Sequence, residues 1–146
     1  MLAGELMNAG GISKRIVRFA LSWVGHVRGG LGLVAIFASV MMAAISGSAA
    51  ADTAAIGALL IPMMRAANYD IARASGLIAA GGVIAPVIPP SIGMILFGVI
   101  ANVSIGKLFL AGIFPGLMMG FSLLIAWQWV ARRERVAVLP REGLAA

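Results

Sequence analysis

Pro86-Val87-Ile88-Pro89-Pro90-Ser91 stands inside an apolar run that carries no charge from Ala74 to Gly106. A helix needs only about 20 such residues to cross a bilayer, so the run is long enough to span. It cannot do so as one regular helix. Each proline removes an N–H donor, and each disfavours helical geometry in the residue before it. The expectation is a discontinuous membrane helix: Ile71 to about Ala85, an extended break, then Ser91 to about Ile100. Asp70, after the turn Asn68-Tyr69, is suited to cap the first half through its side chain. Irregular backbone at membrane depth is tolerated only where it is buried in protein or lines a water-filled cavity. Carbonyls freed near Val83 to Ile88 are therefore expected to point into whatever the break lines.

A second interruption lies upstream. Gly29 to Ala51 is also free of charge, and Gly29-Gly30 opens an apolar run from Leu31 to Ile45. About fifteen helical residues reach about 22 Å, short of a hydrocarbon core of about 30 Å. Ser46-Gly47-Ser48 then makes a poor helix interior. Ala49 to Met64 reads as a second short apolar helix, with Asp52 and Thr53 in its first turn and Pro62 and Arg65 at its end. Arg28 precedes the pair, and Arg65 with Arg73 follows it. Basic residues favour the cytoplasmic side, so the chain enters and leaves on one face. Two full crossings would satisfy this as well, but the helices are short for that, so residues 29–65 are expected to form a re-entrant hairpin with its tip at 46–49.

The remainder frames these two breaks. Residues 1–10 read as the tail of a scaffold transmembrane helix, and 11–28 as an amphipathic interfacial arm helix. In the arm, Ile12, Ile16, Phe19, Ala20 and Trp23 recur at helical spacing, while Lys14, Arg15, Arg18 and Ser22 fill much of the rest. An ordinary cytoplasmic loop helix is the plainer alternative. Residues 70–101 hold the broken helix, and 107–131 a conventional membrane helix ending at Trp127 and Trp129. Residues 132–146 form a cytoplasmic tail marked by Arg132, Arg133 and Arg135. Gly112, Gly116 and Gly120 repeat at four-residue spacing, the small-residue pattern that lets two helices approach closely.

Composition agrees with this layout. The chain of 146 residues is 62% hydrophobic and 11% charged, with a net charge of +6. Soluble domains carry roughly a quarter charged residues. The cations flank the apolar runs, which suits topology and anionic headgroups and not nucleic acid. With no cysteine, thiol, disulfide and Cys-based metal chemistry is excluded. His26, the lone histidine, reads as an interfacial residue. A serine hydrolase built on Ser46 or Ser48 would need it as base, and no acid is placed to orient it, so an enzyme is not expected. The fold class is all-α integral membrane, with a re-entrant helical hairpin plus a discontinuous transmembrane helix.

Broken helices near the midplane are how many secondary transporters build sites, since half-helix N-termini attract anions while carbonyls and hydroxyls coordinate Na⁺. Hard oxygen ligands of this kind suit an alkali cation and not a transition metal. The candidate ion ligands are Ser46, Gly47, Ser48, Ile88, Pro89 and Ser91; no cofactor is expected. Asp52, the only acid in the interior of the apolar region, is expected to pair with a cation or proton, to support the tip, or to stabilise the second half-helix through its dipole. Arg65 and Arg73 read as headgroup anchors.

Taken in order, these residues resemble the large membrane subunit (DctM-like) of the tripartite ATP-independent periplasmic transporters. The matching stretches are Leu2 to Asn8, Ile45-Ser46-Gly47-Ser48-Ala49-Ala50-Ala51-Asp52, Ala55-Ile56-Gly57, Ile61-Pro62-Met63-Met64, Ile88-Pro89-Pro90-Ser91-Ile92 and Gly98 to Gly112. The resemblance implies an ion-transporter-like repeat and Na⁺-driven uptake of a small organic anion, such as a C4-dicarboxylate or a sialic acid. It implies a bacterial inner membrane location with multiple passes, a periplasmic solute-binding protein, a small membrane subunit (DctQ-like) and the remainder of the large subunit as partners. Within this chain it places one Na⁺ site and part of the anion site between the tip and the break, with Ser48, Ala49, Pro90 and Ser91 toward the anion. It also implies an elevator-like movement of the hairpin against a scaffold. Members of the family are roughly three times as long and hold two inverted repeats, so one repeat is expected here. The competing readings are a non-functional fragment and a small structural or pore-forming membrane protein.

Overall fold

The computed structural model describes residues 10–25, 27 and 29–133. The expected scaffold remnant up to Ala9, His26, Arg28 and the tail beyond Arg133, including Arg135, lie outside these residues. Among those described, all regular structure is helical, in the order α1 Ile12–Val24, α2 Gly30–Ser46, α3 Ala49–Ala66, α4 Ile71–Gly82, α5 Ile92–Ile100 and α6 Ile105–Arg133.

The two predicted interruptions are present and follow local chemistry. α2 stops at Ser46 because Gly47 takes a left-handed conformation, φ 62°, and its N–H donates to the Ala43 carbonyl at 3.1 Å. That is the usual glycine stop of a helix. Ser48 is extended and starts α3 without a side-chain cap bond. At the second break α4 ends at Gly82, three residues before the expected Ala85. The segment after it differs from the extended break that the prolines predict. Ile84, Ala85, Val87 and Ile88 donate their N–H groups to the carbonyls of Gly81, Gly82, Ile84 and Ile84 in successive turns. Backbone N–H groups of an apolar segment find partners within the chain where they can, so the segment is turned through Ile88 and only Pro89 to Ser91 lies outside these turns. The Pro89-Pro90 bond is cis. Ser91 then caps α5, its hydroxyl accepting from Met94 N.

α2 and α3 form an antiparallel hairpin, since both of its ends meet one residue, Trp127 of α6. The Trp127 indole N–H donates to the Gly29 carbonyl at 2.9 Å, and its ring stacks on Tyr69, just beyond α3, with centroids 6.3 Å apart. The sequence pattern puts Trp127 at the end of a membrane helix beside Trp129. In the structure the two part company: Trp127 is buried, while Trp129 is exposed with the Arg133 guanidinium 4.0 Å over its ring.

Both hairpin helices exceed their expected lengths. α2 has 17 residues and α3 has 18, continuing through Pro62 to Ala66. At about 1.5 Å per residue they reach roughly 26 and 27 Å. By length and composition α3 and α6 could each cross a membrane. The core of the hairpin is apolar, with Leu31, Val34, Ile36, Ile56, Leu60 and Met64 buried between α2, α3 and α4.

α6 lies along the break. Gly112, Gly116 and Gly120 are all buried. A Cβ on Gly112 would lie 2.5 Å from the Val87 carbonyl oxygen, and one on Gly116 would lie 2.6 Å from Ile88 Cγ1. The small-residue stripe therefore serves a contact within the chain, between α6 and the turns after α4. The opposite face of α6 and most of α5 leave Leu96, Phe97, Leu110, Phe114 and Phe121 exposed, a surface suited to hydrocarbon.

Candidate functional site

The tip of the hairpin sits on the open part of the break. A Cβ on Gly47 would lie 2.5 Å from the Pro90 carbonyl oxygen and 3.2 Å from Ser91 Cα. Only glycine combines that close approach with a left-handed backbone at no steric cost. The contact brings Ser46, Gly47 and Ser48 together with Pro90 and Ser91. Ile88 is placed differently: its side chain is turned onto Gly116 of α6.

Each serine has a distinct job. Ser46 Oγ donates to Asp52 Oδ1 and accepts from Ser48 N at 3.1 Å. Its hydroxyl thus ties the end of α2 to the first turn of α3. Ser91 is wholly inaccessible, 0% exposed, with its oxygen turned to Met94 N at 3.4 Å. Ser48 is half-buried and makes no cap bond.

Asp52 is 1% exposed. One carboxylate oxygen takes the Ser46 hydroxyl, and the other, Oδ2, is buried with no hydrogen-bond partner. Leaving such an atom unmet costs about 1–3 kcal/mol, and more when the group is charged. Of the three roles that the sequence leaves open for Asp52, the hydrogen bond from Ser46 is compatible with support of the tip. The unmet oxygen leaves room for the role as a cation partner.

The first turn of α3 is held from the side by α4. A Cβ on Gly82 would overlap Thr53 Oγ1, and one on Gly81 would lie 2.5 Å from Ser39 Oγ. Both hairpin helices therefore rest on the Gly81-Gly82 pair, a contact that helix periodicity does not reveal. Thr53 and Ser39 were not among the candidate residues; the adjacent glycine pair was the available signal. Arg73 was read as a headgroup anchor, and its guanidinium pairs at 3.4 Å with exposed Asp70, which also caps α4 through Ala72 N at 2.9 Å.

Two helix N-termini, those of α3 at Ser48 and α5 at Ser91, thereby converge beside one buried carboxylate. The N-terminal ends carry partial positive charge and favour anions. The carboxylate favours a cation. A family model described as the tripartite ATP-independent periplasmic transporter, DctM component, matches residues 1–146. The chain belongs to this family.

Curated relatives agree. The chain is 60% identical to the 2,3-diketo-L-gulonate TRAP transporter large permease protein YiaN of Escherichia coli, over 99% of this chain and 33% of the relative. It is 44% identical to the sialic acid TRAP transporter large permease protein SiaM of Vibrio cholerae, over 97% of this chain and 33% of the relative. Against the C4-dicarboxylate TRAP transporter large permease protein DctM of Pseudomonas aeruginosa the identity is 39%, over 99% of this chain and 34% of the relative. The chain thus spans about a third of the length of these relatives. All three are named as transport permeases and none as an enzyme. Membership in a family of permeases makes this DctM-family chain a membrane protein.

Proposed function

We propose that this chain supplies one cation site and part of the anion site of a Na⁺-coupled secondary transporter for small organic anions. The transporter sits in a bacterial inner membrane and is fed by a periplasmic solute-binding protein, with a small membrane subunit and the rest of the large subunit completing it. The observation that carries the proposal is the buried Asp52 Oδ2 without a partner, next to a hairpin tip that rests on a helix break.

The division of labour follows from charge. Na⁺ takes the unmet Asp52 oxygen together with hydroxyl and carbonyl oxygens of Ser46, Ser48 and the Pro89 to Ser91 segment. A bound cation neutralises Asp52, and the positive ends of α3 and α5 are then free to attract a carboxylate near Ser48, Ala49, Pro90 and Ser91. Cation and anion therefore favour one another's binding. The hairpin enters and leaves from the cytoplasmic side, as the cations around it direct, and α6 crosses the membrane. The names of the relatives, for diketogulonate, sialic acid and C4-dicarboxylate transport, support a small carboxylate as the substrate class.

The test uses the complete transporter containing this chain, reconstituted in vesicles with its binding protein and an imposed Na⁺ gradient. Asp52→Asn keeps the shape and an acceptor for Ser46 but removes the charge. The half-saturating Na⁺ concentration is expected to rise at least about tenfold, the lower end of the 10–100-fold cost of losing even a group that only supports a metal's ligands. Ser48→Ala should raise it by less. An unchanged Na⁺ dependence in Asp52→Asn, Ser46→Ala and Ser48→Ala together would exclude this site.

A further inference from the structure

The helix read as an interfacial arm has three faces where the sequence suggested two. Ile16, Val17 and Ala20 are buried against the hairpin. Ile12, Phe19 and Trp23, seven and then four positions apart, form a separate apolar line that is exposed, Trp23 by 64%. Lys14, Arg15 and Arg18 make the third face and are exposed as well. α1 contains no acidic residue, and no acid among the described residues pairs with these three cations.

We infer that this pair of adjoining faces is a docking surface for anionic phospholipid, with Phe19 and Trp23 seated at the acyl boundary and Lys14, Arg15 and Arg18 on the headgroups. Charge complementarity selects this occupant. An apolar strip beside a cationic face suits a helix lying in an anionic leaflet. The exposed faces of α5 and α6 differ: α5 has no cation, and those of α6, Lys107, Arg132 and Arg133, stand only at its ends. The docking surface is also connected to the hairpin: the Phe19 and Trp23 rings lie 5.7 Å apart, and Trp23 stacks on Phe37 of α2 at 6.4 Å. A lipid held by α1 would therefore contact a ring, Trp23, that itself packs on the hairpin carrying the candidate ion site.

The inference is independent of transport, and its test needs no substrate. The assembled transporter is reconstituted with dibrominated phosphatidylglycerol or dibrominated phosphatidylcholine at equal mole fraction, and the Trp23 contribution is taken as the difference between the wild type and Trp23→Phe. The Trp23 signal should show roughly 5-fold preferential quenching by the anionic lipid, the factor for about one basic residue at an anionic surface. That preference should fall to about 1 in the Lys14→Gln, Arg15→Gln, Arg18→Gln triple variant and persist in Arg15→Lys, Arg18→Lys, which keeps the charges. Equal quenching by both lipids in the wild type, or an undiminished preference in the Gln variant, would overturn headgroup recognition. Absence of quenching by either lipid would show that protein covers the strip, and would overturn the inference as a whole.

Discussion

At its base the α2–α3 hairpin is closed by Trp127, which fills the space left by Gly29 and Gly32 and stacks on Tyr69; at its tip it is closed by Gly47 against Pro90 and Ser91. Both ends are tight, and both hold one of the two buried side-chain polar atoms that lack a partner among the described residues. At the base that atom is the Tyr69 hydroxyl. Burial pushes the Tyr69 phenol above its ordinary pKa, so it stays neutral. At the tip it is a carboxylate oxygen, Asp52 Oδ2. A neutral hydroxyl beside the Leu31 backbone is at most a modest loss, whereas an unmet carboxylate asks for a counter-charge. The base is thus built to hold and the tip to bind.

The contrast can be broken most directly at Trp127. Trp127→Ala removes the ring that joins the start of α2 to Tyr69 beyond α3 at the base, and the expected loss is about 3–5 kcal/mol, read as a lower midpoint of thermal unfolding in detergent. Trp127→Phe keeps the stack and forfeits chiefly the bond to Gly29, about 1 kcal/mol. If Trp127→Ala unfolds at the wild-type midpoint, the base is no anchor.

Gly47→Ala probes the other end and should separate function from folding. The left-handed backbone alone costs an alanine about 1–2 kcal/mol, and its Cβ would press on the Pro90 carbonyl oxygen at 2.5 Å. A moderate drop in unfolding midpoint is expected together with a large rise in half-saturating Na⁺. A stability loss with Na⁺ dependence unmoved would make the tip a second structural closure and erase the difference between the ends.

Gly120→Ala gives the smallest effect. Its Cβ would meet Val40 Cγ2 at 3.4 Å, an ordinary contact, so stability should change by less than about 0.5 kcal/mol. Gly116→Ala, one turn earlier, would meet Ile88 Cγ1 at 2.6 Å and should disturb the break measurably in the same Na⁺ assay. Equal outcomes for the two would mean that α6 does not position the break.

Much of this was legible from residues alone. Gly47, Asp70 and Ser91 stop or start helices by interactions within a single turn, so their neighbours in sequence suffice to place them. The prolines announced the second break for the same reason. They did not announce its form, because the carbonyls of Gly81, Gly82 and Ile84 found N–H partners a few residues on and converted most of the expected extended segment into turns. The amphipathic arm was also visible, but periodicity counts apolar residues without saying what covers them. Ile16 and Ala20 are buried, while Phe19 and Trp23 stay exposed even though Trp23 stacks on Phe37.

Sequence by itself determined that this is a helical membrane chain with two breaks, where those breaks fall, and which oxygen-bearing residues stand at them. These follow from backbone chemistry and hydropathy, which act over a few residues. Tertiary structure alone decided that Gly47 lands on Pro90, that Asp52 keeps an oxygen unmet, and that Trp127 reaches back across 98 positions to Gly29. Such contacts depend on how helices pack, and packing is set by the shapes of surfaces that no local pattern encodes.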